Sequence, residues 1–346
     1  MPCRYLNLII HYPLSILNYN RREASLFWRR ERGIQLDQAF ISVVSQIMVL
    51  FFIMLTGFVA RKASALDQST IKGMSSLLMN VSLPALVISA MQFPFDSEVL
   101  SSSIQIIIIS ICAYIGIISF SYIYKKTSKE KAKRKDVIQF ALIFSNVTFM
   151  GFPVVNVIYG EMGVFFAALY NMPFNLVLLT LGVAIMSRSS REGSGQEMNL
   201  RKALLSPGII ALIFGFSFFV FSIRLPGPLY QAVEMLGSTT TPLAMLIIGA
   251  LLGEVSLKSI LGDRSLYLLT FNRLLLMPLL AYIPLRLLGF DGMMLGIPVI
   301  IIAMPVGAVT GAFASMYDAD DYLASKAVFI TTILSMITIP LWATFL

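Results

Sequence analysis

Apolar residues fall along this chain in long blocks closed off by charge or turn residues, with little of the polar alternation of a half-buried surface. A helix rises ~1.5 Å per residue, so a block of about 20 residues covers the ~30 Å hydrocarbon core of a bilayer. Ten such blocks fall at 41–60, 71–91, 102–124, 137–159, 163–187, 206–222, 229–252, 265–287, 293–316 and 322–345. Each has to be helical, because lipid offers no partner to a bare N–H or C=O. The pattern predicts an all-α polytopic membrane protein with ten transmembrane helices.

Composition agrees: 57% of the residues are hydrophobic and only 13% charged. The net charge of +8 would suit a nucleic-acid binder, but its distribution says otherwise. The odd-numbered gaps and their flanks carry seventeen Lys and Arg, including the run Lys125, Lys126, Lys129, Lys131, Lys133, Arg134 and Lys135, against only Arg224 and Arg286 on the even side. Basic residues collect on the cytoplasmic side, so the odd gaps are expected inside and both termini, the C-terminus included, outside a cell inner (plasma) membrane. That accounts for the charge and removes nucleic acid as a partner. The first 38 residues disagree, holding six arginines on the outer side. They are expected to be either an interfacial arm anchored by Trp28 or, as the simpler reading, a mis-called start, with translation beginning near Leu36.

Chemistry is sparse. Cys3 and Cys112 make no scaffold, His11 is the one histidine, and no CxxC pair or His/Cys cluster suggests a metal. No phosphate-binding GxxxxGK[ST] is present, so neither a cofactor nor direct ATP drive is expected. A membrane-embedded enzyme would need a nucleophile, an acid–base pair or a metal cluster at one depth, and none stands out.

The chain divides near its middle into 39–187, a polar connector at 188–203, and 204–346, five spans to each half. An odd number of spans inverts one half relative to the other. The second span reads MNVSLPALVISA and the seventh GSTTTPLAMLIIGA, each with small polar residues before a proline, Pro84 or Pro242. FMGFPVVNVIYG in the fourth has a looser partner in AVTGAFASMYDA of the ninth. Inverted repeats with interrupted helices are the usual build of secondary transporters. Gly151 and Pro153 lie about 20–25 Å along the fourth span, and Pro305 about 18 Å along the ninth, which places both breaks near mid-membrane. Proline suits the first turn of a helix, and a helix start carries roughly half a positive charge. Two starts meeting there are expected to hold an anion without a buried cation, with Asn146 and Thr310 adding hydrogen bonds.

SNVTFMGFPVVNVIYG, AMPVGAVTGAFASMY, MNVSLPAL, TTPLAMLIIGALL and FNRLLLMP together resemble the auxin efflux carrier family over about 39–346. The resemblance implies two inverted five-helix repeats with helices 4 and 9 broken where they cross. Helices 1, 2, 6 and 7 would form a scaffold and 3–5 and 8–10 a moving domain, in a bacterial-type permease for small organic anions such as carboxylates. Substrate would lie at Asn146, Gly151 and Pro153 and at Pro305 to Gly307. Thr310 stands where plant members have a second proline, and the connector is short, so auxin itself is not implied. A homodimer through the scaffold is a further expectation.

Other residues carry open alternatives. Glu234 either accepts a coupling proton or cation or is an interfacial group. Arg273 either neutralises a carboxylate or reaches back to the surface. Asn80, Asn171, Asn175, Thr331, Thr332 and Ser335 either line a pathway or bond neighbouring helices. A sodium-coupled symporter of the bile acid carrier type, with oxygen ligands from such residues, is the alternative mechanism; coupling to H+ or Na+ stays open.

Overall fold

In a computed structural model of the protein, residues 44–188, 207–253 and 263–346 are described. The N-terminal extension and nearly all of the connector lie outside them. The described residues are helical, with no strand among them beyond one isolated bridge. Among the described residues seven helices are long and apolar enough to cross a membrane. They are α1 (Val44–Lys62), α2 (Gln68–Ser89), α3 (Ser97–Thr127), α5 (Val147–Ser187), α7 (Gly227–Leu252), α8 (Arg264–Leu287) and α11 (Asp321–Phe345). Between them stand the shorter α4 (Ala132–Ile143), α6 (Pro207–Val220), α9 (Gly292–Ala303) and α10 (Val309–Met316).

Capping chemistry explains several starts. Asp67, Asp96 and Asp320 each accept a backbone N–H in the first turn of α2, α3 and α11. Within the 41-residue α5, Gly160 takes φ 64° and ψ −157°, a conformation open to glycine, so the fourth and fifth expected spans join at a sharp break without a loop. Large apolar side chains stand exposed along most helices, among them Phe52, Ile104, Ile108, Ile115, Phe214, Met235, Leu287 and Ile337. In water so much exposed apolar surface would be a liability; in lipid it is the ordinary exterior.

The residues from Gln46 to Leu346 form one compact unit. In it α2 packs on α6 and α7, while α9 packs on α8, α11 and the Phe152–Tyr170 stretch of α5. Backbones of α1 and α7 touch: a Cβ on Gly57 would lie 2.2 Å from the Leu246 carbonyl oxygen, and one on Gly249 1.8 Å from that of Met54. Only glycine permits that approach. Ser82 and Thr239, in the two similar proline motifs, share a 2.9 Å hydrogen bond between α2 and α7.

Among the described residues four π turns interrupt the helices, and three of them, Leu78–Ser82, Val147–Gly151 and Asn272–Leu276, are followed at the second residue by a proline: Pro84, Pro153 and Pro278. A proline withholds the N–H that its fourth predecessor would accept, and a π turn reroutes the bonds around that gap. At Pro278 the orphaned acceptor is Leu274, and the Trp342 indole donates to it at 2.9 Å.

Candidate functional site

The helical ladder stops twice in the interior, at Phe144 to Asn146 between α4 and α5 and at Met304 to Ala308 between α9 and α10. The two extended stretches run antiparallel through a bridge between Ser145 and Val306. The Asn146 N–H donates to the Pro305 carbonyl at 2.8 Å, and the Gly307 N–H to that of Phe144 at 2.9 Å. Thr331 Oγ1 accepts from the Val306 N–H at 3.1 Å while donating to Ala327. Each break thus supplies the partners that lipid could not. Gly307 allows the approach, since a Cβ there would sit 3.0 Å from the Ser145 oxygen.

The position of the first break differs from the expectation. Pro153 does not open a helix at the break; the chain parts at Ser145 and Asn146 and restarts through the π turn, and Pro153 follows that turn inside α5. The proline reports a lost donor, which the π turn absorbs. Asn146, at the N-cap of α5, is buried, as are Gly151 and Pro153. Pro305 and Gly307 lie in the second break, and Thr310 sits fully buried in the first turn of α10, its hydroxyl without a hydrogen-bond partner.

Beside the first break opens a cavity of about 160 Å³. Asn80 from α2, Thr148 and Phe152 from the start of α5, Asn171 and Asn175 from its later part, and Leu212 from α6 contribute to its wall. Asn171 is buried with its Oδ1 unpartnered. Among the described residues no Asp, Glu, Lys or Arg lines this space. Its polar character comes from amides, a hydroxyl and the first turn of α5, where backbone N–H groups lack intrahelical acceptors. Such a surface suits a hydrogen-bond acceptor with diffuse negative charge.

The structure brings Asn80, Asn171 and Asn175 to this cavity and leaves the other expected residues out of its wall. Thr331, Thr332 and Ser335 bond the backbone of their own helix, Thr331 also holding the second break. Glu234 is exposed on α7. Arg273 is fully buried, so it does not reach a surface; its guanidinium donates to the carbonyls of Leu142, Ile302 and Met304 at 2.7, 3.0 and 3.1 Å. Sequence reasoning overlooked Thr148 and Phe152, although both stand in the quoted motif after Asn146, where a first helical turn would expose them. Among the described residues no group of three His, Cys, Asp or Glu could hold a metal.

Long apolar helices, two paired breaks and a polar cavity beside them define a multi-pass membrane protein of the transporter class. The chain belongs to the membrane transport protein family, whose profile matches residues 42–343, in keeping with the resemblance to the auxin efflux carriers. An uncharacterized transporter of Methanothermobacter thermautotrophicus is 24% identical over 306 residues, covering 88% of this chain and 98% of the relative. One of Methanocaldococcus jannaschii is 22% identical over 304 residues, 86% of this chain and 96% of its own.

Proposed function

We propose that the protein is a secondary transporter of small organic anions, carboxylates foremost, that binds its substrate at the two paired helix breaks and the cavity beside them. The observation that carries this reading is the start of α5. It places Thr148 and Phe152 beside an amide-rich wall of Asn80, Asn171 and Asn175, with no carboxylate among the described residues of that wall. In this reading the short and broken helices combine with the seven long ones into ten spans. These form two inverted repeats, with the breaks near mid-membrane and the C-terminus outside a cell inner membrane.

The scaffold is α1, α2, α6 and α7, and the remaining helices move against it in an elevator-like way. The glycine contact of α1 with α7 and the packing of α2 on α6 and α7 support a rigid scaffold. The cavity supports a sliding boundary, because its wall draws on α2 and α6 on one side and α5 on the other. Family and relatives are transporters, and transport rather than catalysis is the activity proposed.

The test is uptake and counterflow in proteoliposomes containing this protein alone, with lactate, pyruvate, benzoate and malate as probes. Asn146→Ala and Pro153→Ala, at equal membrane expression, should each cut the rate at least tenfold relative to Ile107→Ala on α3. Near-normal rates in both would remove the break from the mechanism.

A further inference from the structure

Arg273 sits fully buried in the π turn of α8, and among the described residues it forms no ion pair. Its partners are all neutral: three main-chain carbonyls and the Met277 sulfur at 3.5 Å. Those carbonyls have a common origin. Leu142 lies in the last turn of α4, Ile302 in the last turn of α9, and Met304 directly beyond α9. The final carbonyls of a helix have no intrahelical donor, and each helix end carries roughly half a negative charge. One guanidinium therefore caps the ends of both helices that lead into the breaks, and two half charges balance its own locally. The planar fork is what permits this, since three donors on different nitrogens reach three fixed acceptors. A lysine would bring the charge as a single point.

Helix ends are dipolar, however, and each negative end is matched by a positive start on the same helix. They screen Arg273 without changing the formal charge that travels with the helices. We infer that Arg273 gives the moving domain one uncompensated positive charge, so that a bound monoanion makes the loaded domain neutral and the empty domain returns charged. Arg273 is thereby a positioning residue that also places the voltage-sensitive step of the cycle on the return of the empty carrier. This rests on the reading that the chain moves anions. The packing of α8 on α9 and on α4 joins Arg273 to the two helices that lead into the breaks. With the interior negative, the empty domain is drawn inward, where it meets cytoplasmic anion, and export is the favoured direction.

The experiment compares exchange with net flux in proteoliposomes under a tenfold potassium gradient with valinomycin, using whichever of lactate, pyruvate and benzoate gives the fastest counterflow. Monocarboxylate exchange should be indifferent to voltage, while net efflux should change by up to roughly tenfold, the limit for one charge crossing the whole field. Malate, with two charges, should restore voltage dependence to exchange. Arg273→Lys should keep this pattern at a lower rate; in Arg273→Gln, which can still donate to a carbonyl, the charge moves with the loaded domain instead, so monocarboxylate exchange should become voltage-sensitive. Voltage-sensitive monocarboxylate exchange in the unaltered protein overturns the inference, whatever the variants do. So does monocarboxylate exchange that stays indifferent to voltage in a folded Arg273→Gln. Absence of flux for every probe overturns instead the organic-anion reading beneath it, and the inference with it.

Discussion

A proline in a membrane helix removes one donor, and the acceptor it strands has to be served from elsewhere. Trp342 does this for Leu274, from a helix remote in sequence. Trp342→Phe keeps most of the ring packing and withdraws the N–H, so it should destabilise the protein by about 1–3 kcal/mol, the cost of an unpaired buried polar group. Thermal unfolding in detergent measures it, and an unchanged midpoint would mean that another donor takes over. Arg134 does comparable work outside the bilayer, binding Asp263 at 2.7 Å and pairing with Glu130 and Asp320, which ties the starts of α4, α8 and α11 together. Partial burial acts to raise the Asp263 carboxyl, but hydrogen bonds from Arg134 and Ser265 and the Arg134 charge outweigh it and hold the group below its usual 3.8. A carboxylate depressed in the folded state stabilises fully above its unfolded value and loses that contribution as pH falls through the folded one. The clamp should therefore be intact from neutrality down to about pH 5 and fail only below about pH 4. In Arg134→Gln that acid-side loss of thermal stability should shrink, since Asp263 then titrates nearer its ordinary value.

At the scale of elements, the α1–α7 contact leaves no room for a side chain. Gly249→Leu places carbons where the Met54 carbonyl already lies, so its cost should reach or exceed the top of the ~1–3 kcal/mol typical of overpacking. Gly73→Ala in α2 meets nothing within 4 Å and should add about 0.5–1 kcal/mol through helix propensity. Melting by size-exclusion chromatography separates the two, and equal midpoints would dissolve the contact. The elements themselves were largely legible. The expected spans at 229–252, 265–287 and 322–345 begin within two residues of α7, α8 and α11, because charge and turn residues sit at both the hydrophobic and the helical boundary. The breaks were legible only as a tendency. Proline and glycine flagged the fourth span, yet the chain parts at Phe144 to Asn146, residues with no such signature, because what makes an extended stretch tolerable is a partner far off in sequence. Arg273 was illegible for the same reason: its role exists only where two helix ends converge.

Over the whole molecule, the orientation assigned from charge can be read out by single cysteines in a background lacking Cys3 and Cys112. Cysteines at Lys131 and Ser190 should react with impermeant thiol reagents from the cytoplasmic side alone, and at Ser97 and Asp291 from the outside alone, an all-or-none difference in labelling. Ser190 and Asp291 labelling from one side would change the span count of the second half, and the two breaks would no longer lie at one depth.

The hydrogen bonds between the breaks also bear on how the chain is made. Phe144 and Asn146 leave the ribosome long before Pro305 and Gly307, about 160 residues later, yet these are their backbone partners. A half-made chain cannot hold that extended stretch bare in lipid, because nothing there replaces the missing partner. Until synthesis is nearly over, the fourth span must wait in a wet or shielded setting, or as an unbroken helix that reopens later. Insertion and maturation are then separate events for this protein. A chain stopped after α7 should reach the membrane and remain open to proteases at Ser145.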